Sequence, residues 1–227
     1  MVYFNSVVIY PNFLTEREVE EIHIHSKGIE LRDAGVGGEV TDDPDAPIHS
    51  SQGHIRHNIR QSDVKWMNHE VMPQDIRRKI EDGINQANSE AQWNLQWDEI
   101  ENHQYTIYRH RETEHTRGDF YTWHVDSGPG LLNTGKMRKL SSTIQLSAPE
   151  EYEGGNFEYI DYNGIFDTLE TYNTKIDIAS HKKPLPFSAK EKGTLIVFPS
   201  HTYHQVTPVI KGTRVSLVSW FHGQPHV

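Results

Sequence analysis

The sequence predicts a mainly β fold, a jelly roll or barrel, with two supporting helices placed before it. From Trp93 onward, runs rich in β-branched and aromatic residues recur near 93–97, 100–108, 120–126, 140–147, 155–161, 173–179, 193–199, 202–207 and 213–221. That is the composition of short strands, roughly eight in all. Turn residues punctuate the runs at Gly128-Pro129-Gly130, Gly154-Gly155, Asn163-Gly164, Lys183-Pro184 and Lys211-Gly212, the spacing of an antiparallel sandwich. Before Trp93 the apolar spacing is helical instead.

Taken in order, Val7–Tyr10 reads as a short strand, and Thr15 with Glu18 three residues later is a capping-box signature. The helix it opens runs to about Lys27 and is closed by Gly28. Residues 33–63 carry Gly, Pro, Asp and Ser clusters with little periodicity, which predicts a long loop with short strands inside it, of the kind that serves as a lid. Pro73 suits a first helical turn, and Ile76, Ile80, Ile84 and Ala87 behind it form one apolar stripe. No linker composition separates these helices from the strands. The expected organisation is one domain over 1–227, with 1–92 as helical support and lid loop and 93–222 as the β core.

Composition narrows the chemistry. The chain has 227 residues, 35% hydrophobic and 10% aromatic, too apolar for disorder. It has no apolar run of membrane-spanning length and no basic leader in its first ten residues, so the expected location is cytoplasmic, with no membrane partner. Cys is absent, which removes thiolate nucleophiles, disulfides and sulfur-ligated metals. Any metal must therefore sit on His and carboxylate groups. A formal charge of −10 argues against nucleic acid as a partner. Arg109, His110, Arg111, Arg117, Lys136, Arg138 and Lys139 leave room for a locally basic rim, against the plainer reading of solvated loops.

Two segments carry the candidate site. In Phe120–Gly128, His124 and Asp126 are two apart at a strand end, so period-two alternation points both to one face. A lone pair of this kind is weak in a chain with 15 His. The second segment, 193–221, reads as strand, turn, strand, turn, strand, and its Thr207–Gly212 reversal is expected to bring His204 and Arg214 together as cross-strand neighbours. Two His and one carboxylate on one face of an octahedron suit a non-haem Fe(II) oxygenase. The guanidinium of Arg214 suits the far carboxylate of a dicarboxylic keto acid. Arg214, Ser216, Val218 and Trp220 should face the cavity, with Val215, Leu217 and Phe221 outward.

These residues resemble the prolyl 4-hydroxylase-like branch of the Fe(II)/2-oxoglutarate dioxygenases, including the PKHD-type hydroxylases. The likeness rests on Gly118-Asp119-Phe120-Tyr121-Thr122-Trp123-His124-Val125-Asp126, on 140–146 followed by Glu153-Gly154-Gly155-Asn156-Phe157, and on 193–221. With the helix after Tyr10-Pro11-Asn12-Phe13-Leu14, it covers most of 1–27 and 100–222. It implies a double-stranded β-helix of cupin-like form, with His124, Asp126 and His204 on iron and Arg214 on 2-oxoglutarate. It also implies O2 as co-reactant, succinate and CO2 as products, and ascorbate as an accompanying reductant. A cosubstrate-binding Tyr is implied as well, with Tyr108, Tyr121 and Tyr105 all open to the role. His201 is the rival to His204, which is preferred for its Gln205-Val206-Thr207-Pro208-Val209 turn.

The implied substrate is an amino-acid residue, a prolyl residue in a peptide or a free proline-like amino acid. Against this stand a non-catalytic metal- or ligand-binding β-sandwich module and hydrolysis at zinc. The segment 127–139 joins 33–63 as a lid candidate, and Trp123 and Trp220 are candidates for the cavity wall, against the commoner reading of core packing. Neither the target nor the oligomeric state follows from the residues.

Overall fold

The computed structural model describes residues 6–35, 59–111, 118–127, 135–161 and 182–225. The elements in its first part are β1 (Val8–Tyr10), α1 (Glu16–Ser26), β2 (Arg32–Asp33), β3 (Arg60–Gln61), β4 (Asp63–Met67), α2 (Gln74–Glu90), β5 (Glu99–Ile100) and β6 (His103–Arg109). There follow β7 (Phe120–His124), β8 (Met137–Gln145), β9 (Tyr152–Gly154), β10 (Phe157–Ile160), β11 (Lys182–Pro184), β12 (Leu195–Pro199), β13 (His204–Val206) and β14 (Val209–Gly223). The strand runs expected at 173–179 and the turns at Gly128-Pro129-Gly130 and Asn163-Gly164 lie outside the described residues.

The strands form two antiparallel sheets. A nine-stranded sheet has the order β1-β12-β8-β14-β6-β4-β2, with β5 and β9 also on β14. A five-stranded sheet has the order β11-β10-β13-β7-β3. Both helices cover the outer face of the large sheet. The α1 capping box forms as expected, with the Thr15 amide donating to Glu18 Oε2 at 2.7 Å and the Glu18 amide to Thr15 Oγ1 at 3.3 Å. This buries Val19 and Ile22 against the sheet. The α2 stripe of Ile76, Ile80, Ile84 and Ala87 is fully buried in the same core as Leu140, Ile144, Leu195, Leu217 and Phe221. Those apolar side chains hold the helices on the sheet.

The short strands expected inside the 33–63 loop appear at its end, where Arg60–Gln61 pairs with β7 and Asp63–Met67 with β6. The N-terminal third therefore supplies strands as well as helices. Other expectations need correction. The 93–97 run is not a strand. Asn94 sits at φ 54, and the Asn88 side chain accepts from the Leu95 amide at 3.0 Å and donates to its carbonyl at 2.9 Å, so a side chain meets the backbone groups a ladder would have used. Leu217 and Phe221 do face away from the cavity, but into the main core beneath the helices rather than outward.

His204 and Arg214 are not cross-strand neighbours. β13 pairs with β10 and β7, whereas β14 pairs with β5, β6, β8 and β9. The chain changes sheets at Thr207-Pro208, where Pro208 has no amide to donate and the Thr207 amide goes to Asn156 O. Gly154 supports this crossing at φ +78, and a Cβ added there would lie 2.1 Å from Pro208 O. Gly154→Ala is expected to lower unfolding free energy by about 2–4 kcal/mol, read as the shift in a urea midpoint. A shift near zero would show that the crossing can move aside.

The large sheet also buries an imidazole. His103 on β6 is fully enclosed, shares a 2.7 Å hydrogen bond with Ser219 Oγ through Nδ1, and meets His69 edge-on at 6.4 Å. Burial, with the charges of His69 and Arg77, pushes its pKa down to about 4. In the unfolded chain it titrates near the ordinary ~6.5, so unfolding takes up a proton at any pH between the two values. Stability is then complete above about 6.5 and falls as pH drops toward about 4, by up to roughly 3 kcal/mol from this group. Urea melts at pH 7.5 and 5 check this, and His103→Gln should flatten the slope between them.

Candidate metal centre

His124 ends β7, His204 opens β13, and the two are register partners. Asp126 lies just past the strand end, where the amides of Asp126 and Ser127 both donate to Ser200 O at 2.9 Å. That turn returns the carboxylate to the side of the sheet facing β14. One ligand atom from each of His124, Asp126 and His204 lies within 4.8 Å of the others. His124 Nε2 is 3.5 Å from Asp126 Oδ1, and His204 Nε2 is 3.9 Å from Asp126 Oδ2.

Hydrogen bonding fixes what each ring offers. His124 Nδ1 lies 2.7 Å from Thr122 O and His204 Nδ1 lies 2.8 Å from Thr202 O. A carbonyl only accepts, so Nδ1 carries a proton in both rings, and Nε2, the atom facing Asp126, is the one each ring can offer to a metal. Burial, with His124 beside it, lowers the His204 pKa to about 4, which keeps that ring neutral and able to ligate. Burial works against the charge of Asp126, but the facing His204 and His124, with Arg138 behind them, hold its carboxyl well below the usual range. Two imidazoles and one carboxylate make a donor set for a divalent cation of borderline softness.

The cavity beside this cluster is lined by residues from both sheets. Arg214, Ser216, Val218 and Trp220 all face it, as alternation along β14 predicted. Arg214 is 1% exposed. Its Nη1 reaches Ser216 Oγ at 3.5 Å, its Nε has no partner, and its guanidinium carbon lies 5.5 Å from the Tyr108 ring centre. Tyr108 and Tyr121 both line the cavity. Tyr121 stacks on His124 with ring centres 3.5 Å apart, and burial raises its pKa to about 12, so the hydroxyl stays protonated. Tyr105 points the other way, into the helix-facing core, where its hydroxyl meets His23 Nδ1 at 2.8 Å. His201 is exposed and outside both the cluster and the cavity lining. Trp123 stacks on Tyr203 rather than lining the cavity.

Sequence reasoning missed Arg60. Buried on β3, it donates to Ser62 Oγ at 3.0 Å and Gln104 Oε1 at 2.8 Å, and it lies 4.7 Å from the Tyr121 ring centre. No local periodicity marks it, since residues 60–64 are buried without alternation. The basic rim is neutralised among the described residues: Arg109 pairs with Asp63, Arg111 with Asp119, Lys136 with Asp98 and Glu99, and Arg138 with Glu101. Lys139 is buried, His110 is exposed, and Arg117 lies outside the described residues, as do His54, His57, His115, 36–58 and 128–134 of the expected lids.

A two-sheet β-helix that brings two His, one carboxylate and a buried Arg to one cavity has the donor set of a mononuclear metal site. Residues 104–222 match the family model of the 2OG-Fe(II) oxygenase superfamily, and the chain belongs to that family, whose metal is Fe(II) and whose cosubstrate is 2-oxoglutarate. A PKHD-type hydroxylase of Stenotrophomonas maltophilia is 35% identical over 112 residues, 48% of this chain and 41% of the relative. One from Shewanella baltica is 31% identical over 104 residues, 45% of this chain and 38% of the relative. The chain thus spans about two-fifths of the length of these curated relatives. Among solved structures, a Pseudomonas putida prolyl-4-hydroxylase superposes with TM-score 0.60 at 18% identity, covering 97% of this chain and 94% of that one. A Trichoplax adhaerens prolyl hydroxylase bound to a hypoxia-inducible-factor peptide gives 0.59 at 14% identity, covering 96% and 83%. These likenesses establish the double-stranded β-helix fold.

Proposed function

We propose that the chain is an Fe(II)- and 2-oxoglutarate-dependent dioxygenase that hydroxylates an amino-acid residue, releasing succinate and CO2. The target class is a prolyl residue in a peptide, or a free proline-like amino acid. One observation carries the reading: His124, Asp126 and His204 converge in the same cavity into which Arg214 presents a buried guanidinium. His124 and His204 would hold the metal through Nε2 and Asp126 through its carboxylate. Bound iron would supply the activation of O2 and the oxidising chemistry.

The chain's own residues do the remaining work. Arg214 binds the distal carboxylate of 2-oxoglutarate, with the Tyr108 and Tyr121 rings beside it. Thr122 and Thr202 carbonyls hold the imidazoles in the ligating tautomer. Phe157, Phe198 and Val206 line the cavity with apolar surface that excludes water from the reacting centre. The prolyl target is supported by relatives named as PKHD-type hydroxylases and by structural neighbours that are prolyl hydroxylases. A non-catalytic binding module would leave the buried cation of Arg214 without a use.

Two measurements test the proposal. Anaerobic Fe(II) with 2-oxoglutarate should give a weak visible charge-transfer band, and aerobic incubation with proline-containing peptides should release succinate and add one oxygen to a peptide or amino acid. Iron binding with neither band nor succinate would favour the binding module.

A further inference from the structure

A second cavity of about 130 Å³ lies at the Arg214 end of the barrel, separate from the metal cluster. Its walls include Gln145 at the end of β8, Tyr152 on β9, Gly155, Phe157 on β10, and Lys190 on a short 3-10 helix, Phe187–Lys190. Gly155 divides it from the cosubstrate anchor, since a Cβ there would lie 2.9 Å from Arg214 Cδ. Whatever occupies the cavity sits directly behind that side chain.

Its polar groups are unmet. Gln145 is 3% exposed and Tyr152 5% exposed, yet among the described residues Gln145 Oε1 and the Tyr152 hydroxyl have no hydrogen-bond partner, and neither has the nearby Arg214 Nε. Buried polar atoms are normally satisfied, and several orphans at one place mark a missing occupant. Lys190 brings the charge. Its ammonium lies 5.9 Å from the Tyr152 ring centre, and among the described residues it has no ion pair. None of the lining residues is acidic. Two cations, Lys190 and Arg214, thus approach one corner without a counter-charge among the described residues, and burial together with Arg214 holds the Lys190 ammonium below its ordinary range.

Water would satisfy the hydroxyl and the amide, whereas an anion would also meet the two positive charges, and the cavity is well beyond the size one ordered water needs. We propose that this second cavity binds a small carboxylate, held by the Lys190 ammonium, with the Tyr152 hydroxyl and the Gln145 side-chain amide as donors. A half-turn of that amide exchanges Oε1 for Nε2, so its present orientation is no obstacle.

Bromide-soaked crystals of the full chain loaded with manganese(II) would locate an anion, and calorimetry with acetate would measure its affinity in solution. The expected result is an anomalous peak between Lys190 and Tyr152, and one-to-one millimolar or tighter acetate binding. Lys190→Met should abolish the peak, and Tyr152→Phe should weaken acetate about tenfold. Water density alone, a peak that survives Lys190→Met, or occupancy only at soaking concentration would overturn the proposal. Thermal melts of both variants establish that they fold. The manganese site is read in the same maps, so a failure at the triad and a failure here are told apart.

Discussion

Asp126→Asn is expected to reduce divalent-metal affinity by at least about a hundredfold and to remove 2-oxoglutarate turnover with it. The substitution keeps the shape of the side chain and the backbone hydrogen bonds to Ser200, so the turn after β7 should hold. What it removes is the one negative charge among the three converging groups. A doubly charged ion entering that pocket gives up its water, and two neutral imidazoles alone do not repay the loss. Changing a partner outside the coordination sphere already costs 10–100-fold at metal sites, so a ligand should cost no less. Manganese(II) titration followed by electron paramagnetic resonance gives the affinity, and succinate release gives the turnover. Affinity within about tenfold of the parent would refute the assignment of Asp126 as a ligand.

Arg214→Met should act on the cosubstrate and leave the metal alone. A guanidinium 1% exposed, whose contacts are a 3.5 Å approach to Ser216, the face of Tyr108 and an unpartnered Nε, is a poorly compensated buried cation. It is costly to the empty protein and repaid when a carboxylate arrives. Charge-assisted hydrogen bonds are worth about 1.5–3 kcal/mol, so KM for 2-oxoglutarate should rise roughly ten- to a hundredfold or more. Two thermal-shift readings separate this from simple damage. The variant without ligands should melt no lower than the parent, while the stabilisation that 2-oxoglutarate gives the parent should vanish. An unchanged KM would place the cosubstrate elsewhere.

The parts of the fold visible in the sequence were those whose signal is local. Thr15 and Glu18 spell out a helix start in four residues, and the Ile76, Ile80, Ile84 and Ala87 stripe declares a buried face without reference to the rest of the chain. The pairing of His124 with Asp126 was legible from their separation by two, although it is the turn onto Ser200 O past the strand end, and not strand alternation, that sets the side of the carboxylate. The relation of His204 to Arg214 was not. A turn can be read from Thr207 to Gly212, but whether the next strand pairs with the last or crosses to the other sheet depends on distant partners, here Asn156, Asp119 and β9. Arg60 was lost because a two-residue strand has no period to detect. Tyr105 and Tyr108 illustrate the remaining limit, for three residues apart on β6 they end on opposite sides of the sheet, and only the assembled structure tells which side holds the cavity.

The fifteen residues of β14 serve two masters: the front presents Arg214 and Trp220 to the cavity, while the back, through Leu217 and Phe221, is clamped under the helices. The guanidinium proposed to hold the small acid is therefore built into the larger, helix-backed sheet, whereas the imidazoles ride on a sheet of five strands. Evolution or an engineer wishing to alter what is oxidised has latitude along the smaller sheet, but any attempt to reshape the acid pocket must be negotiated with the foundations of the protein.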